Sequence, residues 1–78
     1  MTGAILIDAI FFQTYFRDAN LSYVDLTRAE LSESSFKNAN LSHADLTVAS
    51  EFYIERFKIA IFNETVMPDG SVRTAIAL

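Results

Sequence analysis

The chain contains no cysteine and a single histidine. It can therefore build neither a disulfide framework nor a structural zinc site. Chains this short often rely on such staples, so packing has to carry the fold. Glycine occurs only as Gly3 and Gly70, which leaves no glycine-rich loop to cradle a phosphate. Basic charge is scarce: six Lys and Arg face ten Asp and Glu, for a formal net charge of −4 and a pI near 4.6. That balance argues against direct nucleic-acid binding, which ordinarily needs a basic surface. Long hydrophobic runs are missing too. Asp8 separates the apolar residues 4–7 from 9–12, the stretch is too short to span a bilayer, and no basic segment precedes it. These absences lead to the expectation of one small domain without signal peptide, transmembrane helix, cofactor or metal, working in the cytoplasm.

What the chain does have is a beat of five. Leu or Phe stands at Leu6, Phe11, Phe16, Leu21, Leu26, Leu31, Phe36, Leu41 and Leu46. After a slip of one residue the beat resumes at Phe52, Phe57, Phe62 and Met67. Two positions before most of these sits a small residue, among them Ala4, Ala9, Thr14, Ala19, Ala29, Ser34, Ala39, Ala44, Ser50, Ala60 and Thr65.

Regular elements cannot accommodate this period. A helix rotates about 100° per residue, so a five-residue step turns about 140° and smears the apolar positions around the axis. A straight strand sends alternate beats to opposite faces, because five is odd. Within one unit, however, the small and the large residue lie two apart and share a strand face. The consistent solution is a short strand, a corner and another short strand, with both residues pointing inward as the chain winds into a narrow tube. Residues 17–27 (RDANLSYVDLT) and 37–47 (KNANLSHADLT) are identical at seven of eleven positions, at an offset of 20. Twenty is four units, so a four-sided coil would stack Asn20 on Asn40, Ser22 on Ser42, Asp25 on Asp45 and Thr27 on Thr47.

The units Ala19-Asn20-Leu21-Ser22, Ala39-Asn40-Leu41-Ser42 and Ala44-Asp45-Leu46-Thr47 resemble the A-(D/N)-L-x-x units of the pentapeptide-repeat family. The resemblance covers residues 4 to about 67. It implies an all-β fold, a right-handed quadrilateral β-helix with four units per coil. Residues 67–71 also resemble the end of the repeat region in many cyanobacterial members. Thirteen beats amount to a little over three coils. The expected organisation is a lead-in at 1–3, the β-helix at 4–67 with a one-residue insertion near 49–51, and a turn and tail at 68–78. Glu55 falls in a small inward slot, and a loop over about 49–56 is favoured because an unpaired buried carboxylate is costly. Pro68-Asp69-Gly70 is a turn signal. Beyond it, either a short strand covers the open lower end or the beat continues through Val72 and Ala77.

Two features of the outside suggest interaction surfaces. The first coil is apolar at its outward positions Ile5, Ile7, Ile10, Phe12 and Tyr15, where later coils carry Asp25, Thr27, Glu30, Ser32 and Ser35. Such a patch usually marks an interface, here for a protein partner or for a second copy in a homodimer. The alternative is a cap formed by residues 1–13, or a preceding domain. Arg17, Lys37 and Lys58, with Arg56 beside them, fall on one face as a basic stripe, next to a face bearing Glu30, Glu33 and Glu51. The stripe is either a solvated face or a docking surface for an acidic partner. His43 reads as an exposed corner residue over Tyr23. Catalysis needs converging groups and a pocket, which a filled tube lacks, so no enzyme is expected. The leading expectation is a non-catalytic protein-interaction or scaffold module. The resemblance also implies an alternative, because the family's gyrase-protecting members mimic duplex DNA and bind type II topoisomerases. The acidic balance suits that alternative; three coils and a basic stripe do not.

Overall fold

The structure, a computed structural model, describes residues 2–76. Its local unit explains the beat of five. The N–H of Ala9 donates to the carbonyl of Leu6 at 3.1 Å, Ala29 to Leu26 at 2.9 Å and Ala49 to Leu46 at 2.9 Å. Each bond closes a tight turn whose third residue has positive φ: 62° at Asp8, 59° at Arg28 and 59° at Val48. This is the geometry of a type II turn. Between turns only one residue per unit is left in a bridge, which is why no long strand forms.

The bridges are parallel and stack the chain on itself. Ile5 pairs with Asp25, Asp25 with Asp45 and Asp45 with Val66. Ile10, Glu30 and Ser50 form a second column, Tyr15 and Ser35 a third, and Asn20, Asn40 and Ile61 a fourth. Successive coils are joined by backbone hydrogen bonds, for example Leu6 N–H to Asp25 O at 2.7 Å and Leu26 N–H to Asp45 O at 2.7 Å. The protein is thus a β-helix, and its ladder runs along the axis instead of across a flat sheet.

The beat residues fill the interior. Leu21, Leu26, Leu31, Phe36, Leu41, Leu46, Phe57 and Phe62 are buried, with Ala29, Ala39, Ala44 and Ala60 packed beside them. Phe16, Phe36 and Phe57 stack face to face, at centroid distances of 4.9 and 4.5 Å and interplanar angles of 12° and 1°. The small positions pack beside this column, with Val24 and Thr65 the largest residues buried there. The two buried polar residues there are satisfied: Thr65 donates to the carbonyl of Leu41 at 2.6 Å, and the hydroxyl of Ser34 accepts from the N–H of Thr14 at 3.3 Å.

The extra residue falls after Ser50, within the loop favoured over about 49–56. Ser50 still bridges Glu30, and its N–H donates to Ala29 at 2.9 Å. The ladder resumes at Arg56, whose carbonyl accepts from Phe36 N–H at 2.7 Å. After Ser50 come Glu51, at φ 57°, and a 3-10 helix at Ile54–Phe57 that contains Arg56. A 3-10 helix rises about 2 Å per residue against about 3.3 Å in a strand, so one extra residue fits the same span. Glu55 is carried to the exterior by this helix.

The last coil contains β1, Ile61–Val66, and the chain then turns back as β2, Val72–Ile76. The turn is closed by Gly70 N–H on Met67 O at 2.8 Å, with Gly70 at φ 86°. β2 pairs antiparallel with β1, Val66 opposite Val72 and Ile61 opposite Ile76. It therefore occupies the lower edge of the coil beneath two bridge columns. Val72 belongs to this strand and is exposed; Ala77 lies outside the described residues.

Candidate functional site

The upper end of the β-helix combines an apolar rim with an open backbone edge. Ile5, Ile7, Ile10, Phe12 and Tyr15 are all solvent-facing, from 42% exposed at Ile7 to 76% at Ile5. The backbone around them is half used. Asp25 N–H donates to Ala4 O at 3.0 Å and Leu6 N–H to Asp25 O at 2.7 Å. Both bonds use the neighbours of Ile5, so the N–H and C=O of Ile5 itself face away from the next coil. Ile10 stands in the same way between Ala9 and Phe11, and Tyr15 between Thr14 and Phe16. Among the described residues, none of these three N–H or C=O groups has a hydrogen-bond partner.

One coil below, the equivalent positions are polar and occupied. The carboxylate of Asp25 accepts from the Thr27 N–H at 3.0 Å and its hydroxyl at 2.6 Å. Glu30 accepts from the Ser32 hydroxyl at 2.9 Å. Asn40 with Ser42, and Asp45 with Thr47, repeat the arrangement. The apolar first coil has nothing comparable at Ile5 and Ile7 or at Ile10 and Phe12.

The backbone aligns the positions of the stripe. Asp18 N–H donates to Lys37 O and Asn38 N–H to Lys58 O, both at 3.0 Å, so Arg17, Lys37 and Lys58 stand in one column. Arg56 lies below Ser35 in the neighbouring column. The Arg17 guanidinium sits 4.9 Å from the Tyr15 ring centroid and donates to the Ser35 hydroxyl at 3.4 Å, so the stripe touches the apolar rim at Tyr15. Among the described residues, no carboxylate lies within 4.0 Å of these four cations. Glu33 and Glu55 nevertheless share a surface groove with Arg17 and Arg56. The groove carries both signs of charge.

The pairs Asp8–Arg28 and His43–Glu64 were not anticipated. Asp8 and Arg28 form a two-pronged ion pair at 2.7 and 3.1 Å. The hydrogen bond to Arg28 lowers the Asp8 pKa, and the same bond raises that of Arg28. The 20-residue offset already places Arg28 beneath Asp8 and could have found this pair. His43 is half-buried instead of exposed. Its ring stacks on Tyr23, at 4.7 Å and 9°, and its Nδ1 lies 3.4 Å from the Glu64 carboxylate. The slip in register is what brings Glu64 under His43.

At the opposite end, Phe52, Met67, Pro68 and Val72 line an open concavity beside Arg73. Arg73 lies over the Phe62 ring at 5.3 Å. Among the described residues no cluster of His, Cys, Asp or Glu is suited to a metal ion, and no helix is long and apolar enough to cross a membrane.

The model of the pentapeptide-repeat family matches residues 9–47, half of the chain, in 8 copies. No curated protein and no solved structure matches the chain. The matched units are those whose type II turns and parallel bridges build the coil, and the chain belongs to the pentapeptide-repeat family.

Proposed function

We propose that this protein is a non-catalytic protein-interaction module, a right-handed quadrilateral β-helix of a little over three coils that docks through its N-terminal end. The observation that carries this reading is the coincidence, at Ile5, Ile10 and Tyr15, of exposed apolar side chains with backbone groups that are unpaired among the described residues. An open strand edge is a template for added chain, and apolar side chains beside it supply the burial that holds a partner. The packed interior supports the reading as a rigid platform. The duplex-mimic reading is weaker, because Arg17, Lys37 and Lys58 interrupt the negative surface that mimicry of a phosphate backbone requires.

The test is affinity capture with the purified protein from a native host extract. Wild type, Ile10→Ser and Lys37→Glu are compared. Loss of the captured proteins with Ile10→Ser, and their retention with Lys37→Glu, is the expected result. Equal capture by Ile10→Ser and wild type would remove the N-terminal end as the docking surface. A gyrase supercoiling assay separates the second reading: the expected result is no inhibition at micromolar excess.

A further inference from the structure

We infer that the partner at the N-terminal end is a second copy of this chain, docked head to head about a twofold axis that passes through Ile10. The inference rests on the reading of that end as a docking surface and names its occupant. Ile5, Ile10 and Tyr15 each direct both N–H and C=O away from the next coil. Facing residues that direct both groups at each other are the hydrogen-bonded pairs of an antiparallel ladder, exchanging two bonds. A twofold axis across the tube reverses the chain direction, so head-to-head copies meet antiparallel.

The side chains select one axis among those a four-sided end allows. An axis through Ile10 sets Ile10 against Ile10 of the second copy and Ile5 against its Tyr15. The corner at Asp8 then meets the corner at Gln13, and no like charges face each other. An axis through Ile5 sets apolar Ile10 against polar Asn20. An axis through the corner at Asp8 sets Asp8 against itself, and one through the corner at Gln13 sets Asp8 against Asp18. Like charges directly opposed are unfavourable. Only the first axis matches all three apolar positions.

Closure follows from the other end. β2 runs along β1 beneath Ile61 and Val66, so two of the four columns are occupied at the lower edge and head-to-tail stacking is disfavoured. The interface is isologous and stops at two copies. It is also small. The molecule measures 25 × 22 × 20 Å, and an end of that size falls short of the ~800 Å² per partner typical of stable complexes. The dimer is therefore weak and concentration-dependent.

Sedimentation equilibrium up to millimolar concentration, with disulfide trapping in this cysteine-free chain, tests the inference. Facing Cα atoms in such a pair lie about 5.5 Å apart, within the range of roughly 4.4–6.8 Å for a disulfide. Ile10→Cys should form a covalent dimer on oxidation. Ile5→Cys and Tyr15→Cys should each stay uncrosslinked alone but form the mixed dimer together. Ile10→Lys should weaken association about tenfold or more while circular dichroism stays that of the wild type. A wild type that is monomeric at millimolar concentration overturns the inference, as does Ile5→Cys trapping itself as well as Ile10→Cys. If that monomer still loses a captured host protein on Ile10→Ser, the docking reading stands without self-association. If Ile10→Ser changes neither association nor capture, both fall.

Discussion

The first and second coils share a backbone and differ in their surface. The turn residues Asp8 and Arg28 have φ of 62° and 59°, and the same bridges run through Ile5 and Asp25. Yet Asp25 and Thr27 are bonded to each other, while Ile5 and Ile7 in the same columns are exposed and apolar. The coil therefore forms without the polar pairs. What those pairs contribute is a wettable exterior and a satisfied turn N–H, and their absence from the first coil is not demanded by the fold. That difference is what makes the upper end a surface with a use.

The largest expected difference between the coils lies in the interior. Phe36 is fully enclosed between Phe16 and Phe57, whereas Phe11 in the first coil is only partly buried. Phe36→Ala should cost about 3–5 kcal/mol, as large core truncations do, and Phe11→Ala less than about half of that. Denaturant titration of both variants measures the gap, and equal losses would mean that the end is covered in solution.

A smaller effect comes from the turns. Val48 holds φ 59° and is exposed, a conformation unfavourable for a β-branched residue by roughly 1–2 kcal/mol. Val48→Asn should raise stability by about 1 kcal/mol, read as a higher denaturation midpoint. The same substitution at Asp8, which has the matching φ, should give no gain because the Arg28 pair is weakened.

Copying the second coil onto the first is the next test. Ile5→Asp with Ile7→Thr recreates the Asp25–Thr27 pair, and each added hydrogen bond contributes about 0.5–1.5 kcal/mol. The expected outcome is equal or slightly greater stability of the monomer together with lost association. A destabilised monomer would show that the apolar rim serves the fold.

The smallest effect is electrostatic. Asp8 has its pKa lowered below the ordinary value near 3.8 by the bond to Arg28. A carboxylate whose folded pKa is depressed stabilises the fold above the unfolded value and loses that contribution as pH falls through the folded one. The stability gap between wild type and Asp8→Asn should shrink below about pH 3.8 and also narrow in high salt, because both partners are exposed. Denaturation midpoints from pH 6 to pH 2.5 check this, and a gap insensitive to both would remove the ion pair as its cause.

Periodic features were legible and aperiodic ones were not. The column Phe16, Phe36 and Phe57 follows from the beat, and the shared column of Arg17 and Lys37 follows from the offset of 20. Lys58 joined them only because the extra residue is absorbed between Ser50 and Arg56. The slip in the beat announced that extra residue but not where it goes, since a bulge at 49–51 and a 3-10 helix at Ile54–Phe57 restore the same count. The stacking of His43 on Tyr23 followed from the offset of 20, but its contact with Glu64 did not, for a related reason. Its lower neighbour depends on the register after the slip, which set Glu64 beneath it.

By itself the sequence determined the inward residues and the coil, because only a turn every fifth residue lets Leu or Phe and the preceding small residue share one interior. It also determined which coil would be apolar outside. The tertiary structure alone decided which backbone edges stay open. β2 folds back along β1 while the N–H and C=O groups of Ile5, Ile10 and Tyr15 find no partner among the described residues. Hydrogen-bond satisfaction at an edge depends on which distant segment returns to it, and no local pattern of side chains encodes that.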